Sequence, residues 1–156
     1  MSEALTPSVI SILKAMHPNF VRRFYTRELA KLAGVSTWVV SRQFSRLVKE
    51  GLVKQKQEGR EKYYSLNLSS PKTRALCQLF EIERREKLYK SNRRLSWALE
   101  EFSKRVFDFL PQVQSVILFG SAAREQLTKT SDIDLLVLVP TIEQEPFNEL
   151  TRSVDR

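Results

Sequence analysis

The sequence predicts an α+β protein in which a long helical segment joins two small domains. Three observations support this fold class. The chain has 156 residues, of which 42% are hydrophobic, enough for packed cores of modest size. Apolar residues recur at helical spacing in the first half, and two continuous apolar runs typical of buried strands lie near the end. We expect a domain at 1–70, a helical linker or dimerisation segment at 71–92, and a second domain at 93–156.

Composition excludes several classes of protein. A single cysteine, Cys77, cannot form an internal disulfide, and one His with one Cys provides too few soft ligands for a structural zinc site. No apolar run is long enough for a membrane-spanning helix, and the first residues do not resemble a secretory signal. We therefore expect a soluble, cytoplasmic protein with no membrane partner.

Charge is distributed unevenly along the chain. Residues 1–70 hold 12 Lys and Arg against 5 Asp and Glu, a net charge of +7, and residues 71–110 hold 10 against 6, a net charge of +4. Residues 111–156 hold 4 against 7, a net charge of −3. A basic surface attracts polyanions, whereas clustered carboxylates repel them unless a metal ion intervenes. The two ends are thus expected to have separate roles; basic residues that only keep a small domain soluble are the alternative.

The first half of the chain predicts three short helices, which start near Pro7, Arg27 and Val35. The first two have a residue that can cap their start, Thr6 or Ser8 and then Thr26, whereas Val35 and Ser36 open the third. Gly34 and Gly51 supply the left-handed conformation that ends the second and third helices. The predicted inward-facing residues are Val9, Ile12, Leu13 and Met16, then Leu29, Ala30, Leu32 and Ala33, then Val40, Phe44, Leu47 and Val48.

The outer face of the third helix is small, polar and basic. The second and third helices are separated by about three residues around a glycine, the spacing of a helix-turn-helix, which makes this face the surface of interest. Short hydroxyl side chains beside an Arg approach phosphates or base edges closely, whereas a merely solvated face more often carries Glu and Lys. The face comprises Ser36, Thr37, Trp38, Ser41, Arg42 and Ser45.

Two short strands around a Gly-containing turn follow the third helix. They are predicted at 52–57 and 61–67, around the turn Glu58-Gly59-Arg60. This pattern indicates a β-hairpin wing whose long cationic side chains can follow a phosphate backbone. The cations that flank its tip are Lys54, Lys56, Arg60 and Lys62.

The segment TRELAKLAGVSTWVVSRQFSRLVKEGLVKQKQEGREKYYSLN resembles the winged helix-turn-helix of bacterial and archaeal transcription regulators over its whole length. The GVS turn, the VSRQFSRLVKEGLV run and the hairpin carry the resemblance. It implies contacts with double-stranded DNA by Ser36, Thr37, Ser41 and Arg42 in the major groove and by Arg60 on the wing. Trp38 is unusual at such a position, and packing on a neighbouring helix is its alternative role. A protein-interaction module is the alternative function of the fold.

About forty residues without Gly or Pro follow Pro71. A single helix of that size would be about 60 Å long, so a break is expected. The segment has two separate apolar stripes, with Ser91 and Asn92 between them, so we expect the break there. We expect the second half to pack on the sheet that follows. The stripes are Leu76, Leu79, Phe80 and Ile82, then Leu95, Leu99, Phe102, Val106 and Phe109. We expect a homodimer paired through the first half, because helix-turn-helix proteins often bind two half-sites.

Two apolar runs, 113–119 and 132–139, predict buried strands. Between them, Gly120-Ser121 permits a tight turn that opens backbone N–H groups and a hydroxyl to an anion. The second run opens with Asp132-Ile133-Asp134, and residues two apart in a strand point to the same face. Since neighbouring carboxylates repel each other, they favour a hard divalent cation such as Mg²⁺, which commonly bridges to phosphates. Helix or turn caps are the alternative for both aspartates.

The segment GSAAREQLTKTSDIDLLV resembles the signature of the DNA polymerase beta superfamily of nucleotidyltransferases, in particular its small, minimal members. The resemblance implies that Gly120, Ser121 and Arg124 bind a nucleoside triphosphate. It also implies that Asp132 and Asp134 are catalytic and bind Mg²⁺, together with a third carboxylate on a later strand that helps to activate the attacking hydroxyl.

Two departures from that family concern the completeness of the site. Glu125 replaces the glycine that usually follows Ala-Arg, which places a negative charge near the expected phosphate path. Only 22 residues follow Asp134, and Asp155 is the one aspartate left for the third carboxylate. The remaining acidic residues, Glu143, Glu145 and Glu149, indicate the solvent face of a short terminal helix. Three interpretations stay open: a piece of a longer protein, an incomplete site, or a site that a partner completes.

These patterns together predict a DNA-binding transcription regulator with an attached nucleotidyltransferase-like domain that binds a nucleotide and Mg²⁺. The alternative is an active Mg²⁺-dependent nucleotidyltransferase that transfers a nucleoside monophosphate to a hydroxyl acceptor by in-line displacement. A third hypothesis, which rests only on analogy with the minimal nucleotidyltransferases, is that the protein is the nucleotidyltransferase half of a toxin–antitoxin pair.

Overall fold

The computed structural model describes residues 5–128 and 131–140. The chain divides into two compact units, Met1–Arg84 and Arg85–Arg156. None of the helices in the described ranges combines the length and the apolar character that a membrane crossing requires.

The order of elements is that of an α+β protein, as predicted. The first unit contains α1 (Pro7–Met16), β1 (Phe24–Tyr25), α2 (Thr26–Ala33), α3 (Thr37–Lys49), β2 (Val53–Glu58), β3 (Glu61–Leu66) and the larger part of α4 (Pro71–Ser91). The second contains α5 (Arg93–Phe109), β4 (Ser115–Leu118), the single helical turn α6 (Gly120–Ala123) and β5 (Leu135–Leu138).

Local sequence signals set the ends of the first three helices. The hydroxyls of Thr6 and Ser36 accept hydrogen bonds from backbone N–H groups three residues further on, at 3.4 Å and 3.3 Å. Gly34 ends α2 with φ +66°, a conformation that strains a residue bearing a Cβ. Thr26 does not cap α2, contrary to the prediction. Tyr25, whose backbone is extended, takes that position, and Thr26 is already helical.

The core of the first unit lies between the helices and a three-stranded antiparallel sheet in the order β1-β3-β2. Strands β2 and β3 pair from Val53–Leu66 to Glu58–Glu61. Phe44 of α3 stacks on Tyr64 of β3 with ring centroids 3.8 Å apart, which fixes α3 against the hairpin. Three helices followed by a β-hairpin constitute a winged helix-turn-helix, and the sequence prediction of this fold is confirmed.

In the first unit, three apolar residues that were predicted to be buried are exposed. They are Leu32 (54%), Leu79 (48%) and Ile82 (45%). Successive residues turn by about 100° around a helix, which places Leu32 outside the arc that α2 buries. On α4 the same rotation places Leu79 and Ile82 opposite Cys77 and Phe80, which enter the core of the first unit.

The predicted break in the long helical segment is confirmed at Asn92. Its side chain caps α5 by accepting a hydrogen bond from the Leu95 N–H at 3.0 Å. As predicted, α5 packs on the following sheet, through Leu95, Leu99 and Val106. Phe109 does not extend this stripe, because α5 ends there. Leu110, which has left the helical conformation, is buried instead.

Strands β4 and β5 pair antiparallel, from Ser115–Leu138 to Leu118–Leu135. Both are shorter than predicted. Because β5 begins at Leu135, Asp132 and Asp134 precede the strand and do not open it. Continuous burial of the two strands was also a wrong prediction. Successive side chains of a strand point to opposite faces of the sheet, and here one face packs on α5. The other face leaves Ile117, Leu136 and Leu138 exposed.

Candidate DNA interface and nucleotide site

The outer face of α3 is open in the first unit. Burial of Val40, Phe44 and Leu47 on the inner side of α3 fixes the rotation of the helix. All six residues of the outer face are exposed, namely Ser36, Thr37, Trp38, Ser41, Arg42 and Ser45. The structure therefore brings together the α3 residues that the sequence predicted for the major groove.

Trp38 contacts Arg42 one helical turn further along α3. The guanidinium carbon of Arg42 lies over the indole ring, 5.1 Å from its centroid. Trp38 is 65% exposed, so it does not pack into a neighbouring helix, the alternative considered from the sequence. The spacing of four residues was a signal for this contact, which the sequence interpretation missed.

The wing is a hairpin with a two-residue turn, Gly59-Arg60. Glu58 and Glu61 pair on either side of it, and Gly59 has φ +62°. The side-chain amide of Gln57 donates to the Gly59 carbonyl at 3.2 Å. Lys54 and Arg60 are exposed, and neither forms an ion pair with a described carboxylate.

Glu58 holds together the cations at the base of the turn. Its carboxylate accepts hydrogen bonds from Lys56 at 2.8 Å and from Arg23 at 2.6 Å. The Lys56 hydrogen bond in particular holds the pKa of Glu58 below its usual range. Lys56 is thus partly neutralised on the wing, whereas Lys54 and Arg60 keep their charge for another partner.

Two contacts between the wing and residues 23–25, which are β1 and the residue before it, were not predicted from the sequence. Arg23 reaches Glu58 across 35 positions, and the hydroxyls of Tyr25 and Tyr63 lie 2.8 Å apart. The hydrogen bond with Tyr25 raises the pKa of Tyr63. These contacts brace the wing on β1, and their long sequence separation left no local signal for them.

In the second unit, the Gly-Ser turn meets the Asp-Ile-Asp segment. The Phe119 N–H donates to the Asp134 carbonyl at 3.0 Å. Gly120 has φ +68°, and a Cβ placed there would lie 1.9 Å from the Asp134 carboxylate oxygen Oδ2. The Asp134 carboxylate therefore lies directly against the backbone of Gly120, and a Cβ at this position would require the carboxylate to move.

The remaining predicted nucleotide-binding residues flank this contact. The carbonyl of Ser121 accepts hydrogen bonds from the backbone N–H groups of Arg124 and Gln126, at 3.2 Å and 2.9 Å. Arg124 is exposed, and its guanidinium donates to the side chain of Gln126 at 3.2 Å. Ala122 is fully buried in a cluster with Leu95 and Leu99, which anchors the turn on α5.

Asp132 and Asp134 supply the type of ligand that Mg²⁺ prefers. Asp132 is exposed and Asp134 is half-buried, and neither pairs with a described Lys or Arg. Proteins commonly hold Mg²⁺ by one or two carboxylates together with phosphate oxygens and water, so the two residues fit this ion. No third acidic, His or Cys side chain of the described ranges completes a cluster around them. Asp155, predicted as the third carboxylate, lies outside the described residues, as do Glu143, Glu145 and Glu149.

Glu125 occupies the position at which the nucleotidyltransferase signature usually has glycine. It has φ +58°, the one positive φ of a non-glycine residue in the part of the chain that the structure describes. Its carboxylate pairs with Lys87 of α4 at 2.8 Å, with both side chains largely exposed. The conformation explains why glycine suits this position, and Lys87 partly compensates the additional negative charge.

An open groove of about 1050 Å³ also lies in the second unit. Its lining includes Arg85, Arg93 and Phe107, but not Gly120, Ser121, Asp132 or Asp134. The groove is therefore separate from the residues that carry the nucleotidyltransferase signature.

Residues 99–154, which include Gly120, Ser121, Asp132 and Asp134, match the model of the nucleotidyltransferase domain family. No curated protein matches the chain.

Several solved structures are similar to the chain. The adhesin competence repressor AdcR of Streptococcus pyogenes is 21% identical, with a TM-score of 0.42 over 70% of this chain and 79% of that one. The DNA-binding protein Sso10a-2 of Sulfolobus solfataricus is 25% identical, with a TM-score of 0.39 over 58% and 94%. Reduced HlyU of Vibrio cholerae is 22% identical, with a TM-score of 0.37 over 44% and 70%.

Proposed function

We propose that this protein is a cytoplasmic transcription regulator that binds double-stranded DNA, with α3 in the major groove and the β2–β3 wing on the phosphate backbone. The exposed outer face of α3 carries the proposal. Thr37, Ser41 and Arg42 lie on this face, and none of the described carboxylates pairs with them. Lys54 and Arg60 on the wing extend the cationic surface. Hydroxyls and guanidinium groups of this kind bind base edges and phosphates.

The first test is the binding of duplex DNA at increasing salt concentration. Each phosphate contact releases condensed counterions, so the logarithm of the affinity is expected to fall with the logarithm of the salt concentration by about 0.9 per contact. A flat response would show that the cationic surface does not bind a duplex.

Single substitutions then assign roles within the surface. Arg42→Ala is expected to cost about 1–3 kcal/mol of discrimination between sequences, whereas Lys54→Ala weakens binding to all sequences and reduces the salt slope by about one. Lys14→Ala is the matched control, because it removes the same charge from α1, where Lys14 pairs with Glu83. If this control weakens binding as much as Arg42→Ala, net charge and not the α3 face is responsible.

We further propose that the protein binds DNA as a homodimer. The exposed Leu79 and Ile82, on the side of α4 that faces away from the core of the first unit, support pairing with a second copy. Sedimentation of the wild type is expected to give a dimer, and Leu79→Gln with Ile82→Gln is expected to give a monomer. Leu32→Gln is the matched control, since Leu32 is equally exposed on α2. A monomeric wild type contradicts the dimer, and a dimeric double variant contradicts this interface.

We also propose that the second unit binds a nucleoside triphosphate with Mg²⁺. The contact between Gly120 and the Asp134 carboxylate supports this, as does the family match of residues 99–154. Ser121 and Arg124 would hold the phosphates, and Asp132 and Asp134 would hold the ion. Bound Mg²⁺ offsets the repulsion between these carboxylates and the phosphate oxygens.

An active nucleotidyltransferase is the second candidate function, favoured by the same two aspartates, which pair with no Lys or Arg among the described residues. Its test is incubation with labelled nucleoside triphosphates and Mg²⁺, beside a control with Asp132→Asn and Asp134→Asn. Label transferred by the wild type alone establishes the enzyme. Equal label in both, or none, removes the enzymatic interpretation and leaves nucleotide binding to be measured by itself.

A further inference from the structure

Trp38 lies on the outer face of α3 but does not belong to the proposed set of DNA contacts. Its indole is 65% exposed in the first turn of α3, on the same outer face as Thr37 and Ser41. A large aromatic side chain left in water forgoes the stabilisation that burial provides, so its position calls for an explanation. The contact that the structure shows for this ring is with Arg42.

Arg42 differs from four other arginines of the first unit. Arg22, Arg23, Arg46 and Arg84 each pair with a Glu carboxylate. A carboxylate occupies the in-plane N–H groups of a guanidinium, which are the donors that bind a base edge. A cation–π contact with an aromatic ring adds no opposite charge, so Arg42 keeps its full charge, and none of the described carboxylates occupies its N–H groups.

The two side-chain groups are close enough together to reach neighbouring base pairs. The guanidinium carbon of Arg42 lies 5.1 Å from the centroid of the Trp38 ring, a distance between the rise of one base pair, about 3.4 Å, and that of two along B-DNA. In the major groove the guanine edge presents two acceptors to an Arg, and the thymine methyl is the apolar group that an aromatic face contacts.

We propose that Trp38 and Arg42 form one recognition element for a guanine with a neighbouring thymine, an inference that rests on the proposed binding of duplex DNA. The guanidinium of Arg42 donates to O6 and N7 of the guanine. The indole of Trp38 holds this guanidinium in place and packs on the thymine methyl. Trp38 is therefore a specificity-determining residue of the α3 face.

Base analogues test each contact separately. The preferred sequence is first selected by the wild type from a pool of randomised duplexes, and a guanine beside a thymine is expected in it. Replacing that thymine by deoxyuridine removes only the methyl group, and 7-deazaguanine removes only the N7 acceptor. The wild type is expected to lose about fourfold in affinity for the first change and about fivefold for the second.

The variants decide whether these losses belong to the two side chains. Trp38→Ala is expected to bind the thymine and deoxyuridine duplexes equally, and Arg42→Ala to bind the guanine and 7-deazaguanine duplexes equally. If Trp38→Ala still prefers thymine as strongly as the wild type, or if selection yields no guanine beside a thymine, the inference is wrong.

Fluorescence provides a second measurement that does not depend on the affinity of a weakened variant. The chain has two Trp residues, so Trp97→Phe leaves Trp38 as the sole emitter, and Trp38→Phe leaves Trp97. Both are similarly exposed, at 65% and 68%. Adding the selected duplex is expected to change the Trp38 emission and not that of Trp97. Unchanged Trp38 emission during salt-dependent duplex binding overturns this inference alone, whereas absence of duplex binding overturns it together with the proposed function.

Discussion

Gly120→Ala tests whether the Gly-Ser turn and the Asp-Ile-Asp segment form one site. The new Cβ would lie 1.9 Å from Oδ2 of Asp134 and 2.8 Å from its Cγ, so the carboxylate has to move. The positive φ costs an alanine about 1–2 kcal/mol, and displacement of a packed group costs about 1–3 kcal/mol more. Urea unfolding followed by Trp97 fluorescence is expected to show a total loss of about 2–5 kcal/mol.

Two controls separate the backbone contribution from the contact. Gly34→Ala meets the same backbone penalty at φ +66°, with no atom within 4 Å of the new Cβ, so it is expected to cost the conformational part alone. In the background of Asp134→Ala, the cost of Gly120→Ala is expected to fall to a similar value, because the clashing carboxylate is gone. A cost of Gly120→Ala that is the same with and without the Asp134 carboxylate would refute the contact.

Three further predictions concern single residues. Glu125→Gly is expected to stabilise the second unit by up to about 1 kcal/mol in urea unfolding, because relief of the backbone strain at φ +58° outweighs the loss of the exposed ion pair with Lys87. A destabilised variant would show that the backbone at position 125 is not strained. Burial lowers the pKa of His17 from 6.5 in the folded protein, so the unfolded chain protonates the imidazole more readily than the folded one. The free energy of unfolding is therefore expected to decrease as the pH falls below 6.5. His17→Gln should flatten this loss in unfolding measurements down to about pH 5, and an unchanged slope assigns it to other groups. Glu58→Gln frees Lys56 and is expected to steepen the salt dependence of duplex binding by about 0.9, whereas an unchanged slope places Lys56 away from the phosphates.

Features that depend on neighbouring residues were predictable from the sequence. The left-handed Gly34, the wing turn around Gly59 and the break at Asn92 were predicted, and each has a local cause. The cap at Ser36 also has a local cause, although the sequence interpretation did not identify it. These signals fix the outer face of α3, because one buried stripe and one cap determine the rotation and the start of the helix. The prediction of the α3 surface therefore required no knowledge of the tertiary structure.

Features that depend on the rotation of a helix about its axis, or on contacts between residues distant in sequence, were not predictable. Leu79 and Ile82 are apolar at helical spacing, yet the core is reached by another face of α4, through Cys77 and Phe80. The end of a strand is set by its partner, so the pairing of Leu135 with Leu118 left Asp134 just outside β5. The Asp134 carboxylate still reaches Gly120, because the chain brings both residues to the same end of the β4–β5 pair.

The geometry around Glu125 distinguishes a steric from an electrostatic effect on nucleotide binding. Gly120 and Glu125 both have left-handed backbones, but Asp134 fills the Cβ space at Gly120 alone. The turn is held by buried Ala122 on one side and by Asp134 on the other, so its shape does not depend on a glycine at position 125. The Glu125 side chain is therefore expected to act on a bound triphosphate through its charge. Glu125→Gln and Glu125→Gly are then expected to strengthen Mg²⁺-nucleotide binding equally in calorimetry, with a smaller effect at high salt. A gain with Gly but not with Gln would show instead that the side chain blocks the phosphate path.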